Sequence, residues 1–224
     1  GGGMSDTLNA KEDVEILADK DPGVGLPGRV YLPGYSRTMG PQSHLFAERE
    51  RLQSLTWEYF DVKQLSPTIG AELVGLDLSQ ELTDEVVSEI QQALWDYKVI
   101  FFRNQEITSE QQIRFAQRFG ELEIHPFLPP NTETPELVRF EKNANAAGYE
   151  NQWHHDVTWR ETPSQGAILR AIEIPPIGGD TLFVDANAAY EGLTQERKDE
   201  IDSLNSVHDF LRAFGRQVPK EKLA

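Results

Sequence analysis

Between Tyr59 and Phe102 the spacing of apolar residues changes twice, and this order constrains the fold more than any other feature of the chain. Tyr59 to Leu65 and Ala71 to Leu78 read as strands around the turn Ser66-Pro67-Thr68-Ile69-Gly70, the second setting Leu73, Gly75 and Asp77 against Val74, Leu76 and Leu78. From Thr83 the period lengthens. Val86, Val87, Ile90, Ala93, Leu94 and Tyr97 fall on one helical face, and Asp84 and Glu85 suit the positive end of the helix dipole. Val99-Ile100-Phe101-Phe102 then reads as a buried strand. Thr108 and Gln111 have the spacing of a capping box that opens a second helix, which Gly120 would close in a left-handed conformation.

Further along, Leu137 to Phe140, Gly166 to Glu173 and Asp180 to Asp185 are strand candidates, and Thr194 to Leu204 reads as a short charged helix. Helices concentrated ahead of a series of strands, without regular strand-helix alternation, point to an α+β or mainly β class: a β-sandwich with flanking helices. Residues 59–224 are expected to form this domain. Ser5 to Glu58, broken by Asp21-Pro22-Gly23, Leu26-Pro27-Gly28 and Leu32-Pro33-Gly34, reads as an irregular extension, and Gly1 to Gly3 before Met4 as an expression remnant.

With 224 residues and 38% apolar content the chain can bury one sizeable core. A net charge of -16 argues against nucleic acid or an anionic membrane as partner, while leaving room for an anionic small molecule held by local arginines. The chain has no cysteine, so disulfides, thiolate catalysis and zinc-cysteine sites are excluded and any metal must use His, Asp or Glu. No run of about eighteen apolar residues and no signal-peptide layout is present, which leads to an expectation of a cytoplasmic protein.

The stretch that carries chemistry is Gln152-Trp153-His154-His155-Asp156-Val157-Thr158-Trp159. On a strand, His154 and Asp156 would share a face and His155 would point away. An imidazole and a carboxylate are donors that a ferrous ion accepts, but a facial triad needs one more imidazole. By itself a His-x-Asp triplet is as readily surface polarity. Gly178-Gly179 can be a tight turn before a strand at Asp180, and Thr181 an ordinary strand residue.

The context is more specific. From Trp153 through Glu191, and upstream at Ile69-Gly70-Ala71-Glu72, Val99 to Gln105 and Arg118-Phe119-Gly120-Glu121-Leu122 with His125-Pro126, the chain resembles the taurine dioxygenase (TauD/TfdA-like) family of Fe(II)- and 2-oxoglutarate-dependent oxygenases. The resemblance implies a double-stranded β-helix (jelly roll), Fe(II) held by His154 and Asp156, and 2-oxoglutarate touched by Thr181 of Gly-Gly-Asp-Thr-Leu. It implies that His125 meets an anionic substrate group and that Val157 lines the substrate pocket. Oxygen and 2-oxoglutarate would be co-substrates. Hydroxylation beside a sulfonate, sulfate ester or ether oxygen would give a product that fragments to an aldehyde and sulfite, sulfate or an alcohol.

Two positions depart from the taurine enzyme's pattern: Leu128 replaces a substrate-contacting tyrosine and Glu150 an asparagine, which favours a less polar substrate than taurine. The segment bearing the family's distal histidine and keto-acid arginine is expected to be missing, and neither His208 nor His44 is expected to replace that histidine. A second class of function therefore stands beside the enzyme: an inactive fragment or binding module of the same fold. A cupin-like metal enzyme without a keto acid is a third reading, opposed by the Gly178 to Leu182 motif. Family analogy also implies a homodimer or homotetramer.

Overall fold

The structure is a computed structural model that describes residues 43–124, 133–141 and 153–209. They fall into two compact units, one drawn from Arg49–Val184 and Asn205–Ala224, the other from Gly1–Glu48 and Asp185–Leu204.

The larger unit is organised by a three-stranded sheet in the order β1 (Asp61–Gln64), β2 (Ala71–Val74), β3 (Ile100–Phe101). β1 runs antiparallel to β2, with Val62 opposite Leu73, and β3 runs parallel to it, with Ala71 opposite Ile100. The turn between the first two strands closes at Gly70, whose φ of 90° is one that glycine adopts without a Cβ penalty. Gly75, at φ 100°, ends β2 earlier than the alternation through Leu78 suggests.

The expected helix forms as α2 (Asp84–Tyr97), following α1 (Ser43–Gln53) in chain order. Thr83 is its N-cap, and its side chain accepts the Val86 N–H. Its apolar face buries Val87, Ile90, Ala93 and Tyr97, so the period read from the sequence is the one the fold uses. The crossover from α2 to β3 turns on Lys98, which adopts φ 66° and donates through Nζ to Thr68 O at 2.8 Å.

α3 (Ser109–Gln117) begins with the complete capping box: Thr108 Oγ1 accepts the Gln111 N–H, and Gln111 Oε1 accepts the Thr108 N–H at 2.7 Å. The helix ends differently from expectation. Arg118 in right-handed geometry caps it, and Gly120 takes φ 152°, far from the left-handed helical value.

These elements share one core of Leu52, Phe60, Ala71, Leu73, Leu78, Ile90, Ala93, Tyr97 and Phe115. Aromatic rings tile its margin. Trp57 stacks on Phe60 at 5.5 Å, and Phe115 meets Phe102 and Phe119 edge-on at 5.7 and 5.1 Å. Polar ties follow the same elements: Tyr97 Oη donates to Leu52 O at 3.2 Å, and the Glu89 carboxylate accepts the N–H groups of Glu58 and Tyr59.

The strand candidates Leu137 to Phe140, Gly166 to Glu173 and Asp180 to Asp185 form no strand among the described residues. A strand needs a neighbouring backbone to accept its ladder, and without one an apolar alternation stays extended and wet. Leu169, Ile172 and Ile177 are accordingly exposed, Ile177 to 90%. The described sheet and helices show an α+β arrangement, and the sandwich expected from the sequence is not formed among the described residues. Contacts that fasten this segment to the core elements include Gln112 Nε2 donating to Ile168 O, Arg170 to Ile107 O, and Phe183 lying edge-on to Phe101.

The region read as irregular up to Glu58 contains α1, an 11-residue helix that buries only Leu52. The smaller unit holds α4 (Ala186–Glu191), capped by Asp185, and α5 (Gln195–Asp202), capped by Thr194. Tyr190 Oη donates to Asp202, and Lys198 pairs with Glu191, each at 2.7 Å. No helix among the described residues is long and apolar enough to cross a membrane.

Candidate functional site

His154 and Asp156 do not lie on a strand. Residues 156–159 form a turn, closed by the Arg160 N–H donating to Val157 O at 3.3 Å. The reversal is possible because Val157 takes φ 56°, a left-handed conformation that a β-branched residue adopts at a cost of about 1–3 kcal/mol. Nothing in the sequence foretells this strain. Val157 is half-buried and belongs to no core cluster.

The turn nevertheless brings the two side chains together. His154 Nε2 stands 3.3 Å from Asp156 Oδ1, with the two side chains 64% and 65% exposed. Two adjacent ligands of an octahedral first-row ion, each bound at about 2.1 Å and at right angles, lie about 3 Å apart. The separation of the pair is compatible with two positions on one metal ion, and both side chains are largely exposed. His155 is occupied elsewhere, its Nδ1 3.0 Å from Asp156 O, a contact in which the ring N–H donates.

Two ties hold the turn from outside. His208 Nδ1 is hydrogen-bonded to Thr158 Oγ1 at 2.8 Å across fifty residues of sequence. Glu123 takes Arg160 at 2.7 Å through Oε1 and the Ser164 hydroxyl at 3.1 Å through Oε2. Sequence reading missed both ties, because neither partner is spaced as a motif.

The remaining site candidates are distributed as follows. Thr181 is exposed in a segment without regular structure that follows Gly178 and Gly179, whose φ values of 80° and 76° are ones glycine adopts without a Cβ penalty. His125 lies outside the described residues, as do Leu128 and Glu150. His44 belongs to the smaller unit, where its Nε2 meets Ala188 O at 3.0 Å. No group of three His, Cys, Asp or Glu side chains able to hold a metal occurs among the described residues.

Comparison with known proteins gives the family of the chain. The sequence model of the taurine catabolism dioxygenase TauD, TfdA family matches residues 61–223, and the chain belongs to that family. It is 38% identical over 150 residues to an alpha-ketoglutarate-dependent sulfate ester dioxygenase of Pseudomonas putida, covering 66% of this chain and 49% of that protein. To an alkylsulfatase of Acinetobacter baylyi it is 36% identical over 152 residues, covering 67% and 47%. The crystal structure of a taurine dioxygenase from Burkholderia xenovorans superposes with a TM-score of 0.60 at 37% identity, covering 68% of this chain and 55% of that one. The chain thus spans about half the length of the curated relatives it matches.

Proposed function

We propose that the protein is an Fe(II)- and 2-oxoglutarate-dependent dioxygenase that hydroxylates a small organic acid, with a sulfate ester, sulfonate or related acid as substrate. The observation that carries this reading is the 3.3 Å approach of His154 Nε2 and Asp156 Oδ1, made by a strained turn in the stretch where the family resemblance is densest. The named relatives that act on sulfate esters and taurine support the substrate class.

When bound, iron and 2-oxoglutarate would supply an oxidant made from dioxygen, with the keto acid decarboxylated to succinate. The chain's own contribution is to bind and orient. His154 and Asp156 would hold the metal as a neutral and an anionic donor, so the carboxylate would offset one unit of its charge. Thr181 offers a hydroxyl to a carboxylate oxygen of 2-oxoglutarate, His125 a ring N–H to the anionic end of the substrate, and Val157 an apolar wall. The third metal ligand and the keto-acid arginine lie outside the described residues on this reading. The jelly roll, the domain at 59–224, the cytoplasmic location and the homo-oligomeric state belong to the same proposal.

A specific observation favours a second reading, a non-catalytic module of this fold: the described residues hold two metal donors rather than three. Succinate release measured over a panel of alkyl sulfates, alkyl sulfonates, aryloxy acids and taurine separates the two. Release that depends on an alkyl sulfate or sulfonate supports the enzyme. A panel in which taurine is by far the best substrate overturns the less polar pocket inferred from Leu128, and no release with any compound supports the module.

A further inference from the structure

We propose that His208 is a positioning residue for the His154–Asp156 pair and acts through Thr158; the inference rests on the metal-binding reading of that pair. Asp156 is followed at once by Val157 in a left-handed conformation, and a β-branched residue stays there only where its surroundings determine it. The turn's own closure, from Arg160 N–H to Val157 O at 3.3 Å, is at the long end for a hydrogen bond. Two further ties reach the turn from elsewhere in the chain. Thr158, two residues beyond Asp156, is bonded at 2.8 Å to Nδ1 of His208, and Arg160 is bonded to Glu123.

These two ties differ in what they can fix. Glu123 takes Arg160 and Ser164 together and so anchors the chain leaving the turn. The His208 contact reaches into the turn itself, between Val157 and Trp159, and fixes the peptide that follows the strained residue. Releasing Thr158 lets Val157 relax toward negative φ. The turn that carries Asp156 is then less restrained, and the 3.3 Å approach of Asp156 Oδ1 to His154 Nε2 is held less firmly. Residues behind metal ligands commonly govern affinity by about 10–100-fold, and this contact, exposed and one residue more remote, belongs at or below the lower end of that range.

The test uses four variants of the full chain and two readouts. His208→Phe keeps the ring and removes Nδ1, and Thr158→Val keeps the shape and removes the hydroxyl. His208→Asn and Thr158→Ser retain a hydrogen-bonding group at each end. The first readout is amide hydrogen exchange of residues 156–160 without metal, with α2 as internal control for folding. The second is Fe(II) affinity in the presence of 2-oxoglutarate, measured anaerobically.

His208→Phe and Thr158→Val should each speed exchange in the turn, leave α2 unchanged and weaken Fe(II) binding about five- to tenfold. The double variant should be no weaker than either single one, since both remove the same contact. His208→Asn and Thr158→Ser should recover most of the affinity. Unchanged exchange and affinity in His208→Phe, or losses that add in the double variant, overturn the proposal. If the unaltered chain binds no Fe(II), the metal reading fails, and the exchange readout alone decides whether His208 holds the turn.

Discussion

Residues 60–119 and residues 153–184 carry comparable apolar runs, yet the first stretch supplies almost all of the buried core and the second leaves Leu169, Ile172, Ile177 and Leu182 in solvent. The difference lies in who completes the backbone hydrogen bonds. α2 and α3 satisfy theirs internally, and β1, β2 and β3 find one another within a short span of chain. The later runs have no ladder partner among the described residues, so their alternation specifies a face without a neighbour to bury it. The candidate site sits in the second region, where His208 and Glu123 contact Thr158 and Arg160 of its turn.

This contrast can be broken by mutation. Ile90→Ala removes a fully buried side chain from α2 and should cost about 2–5 kcal/mol in denaturant unfolding. Ile177→Ala, at a residue 90% exposed, should stay within about 0.5 kcal/mol of the unaltered chain. Equal losses would show that the later segment is packed in solution and would abolish the distinction. Thr108→Ala should cost about 1 kcal/mol by removing the capping box, and because α3 places Phe115 in the core, the loss should appear in the main unfolding transition. A local loss of helix signal without that shift would separate α3 from the core.

The smallest effect concerns pH. Asp77 is held below the ordinary carboxylate value by its bonds from Ser79, and Glu85 and Glu110 are lowered by backbone hydrogen bonds in the first turns of α2 and α3. A depressed folded value gives stability that is complete above the unfolded pKa, near pH 4, and is lost as pH falls through the folded value. Denaturant midpoints should therefore drop between pH 6 and pH 3, and Asp77→Asn should flatten the drop slightly. A midpoint that rises on acidification contradicts the assignment.

The sequence made the first region legible because helix caps and apolar period act locally: Thr83, the Thr108 and Gln111 pair, and the Ile90 face stand where they were read. α1 escaped because its residues, SHLFAERERLQ, show little apolar period and bury only Leu52. α4 escaped because six residues are too few for a period to emerge, although Asp185 is an ordinary cap. The closeness of His154 and Asp156 was legible and its geometry was not. His154 and Asp156 do converge, on a turn rather than a strand, because the left-handed Val157 and the long-range partners His208 and Glu123 have no signature in residue spacing.

The most direct test of the account is an anaerobic titration of the chain with Fe(II) and 2-oxoglutarate, followed by the weak visible charge-transfer band of a keto acid chelated to iron. The account predicts a band that saturates with Fe(II) and vanishes in His154→Ala. A band that survives His154→Ala would contradict the assignment of His154 and Asp156 as the metal pair.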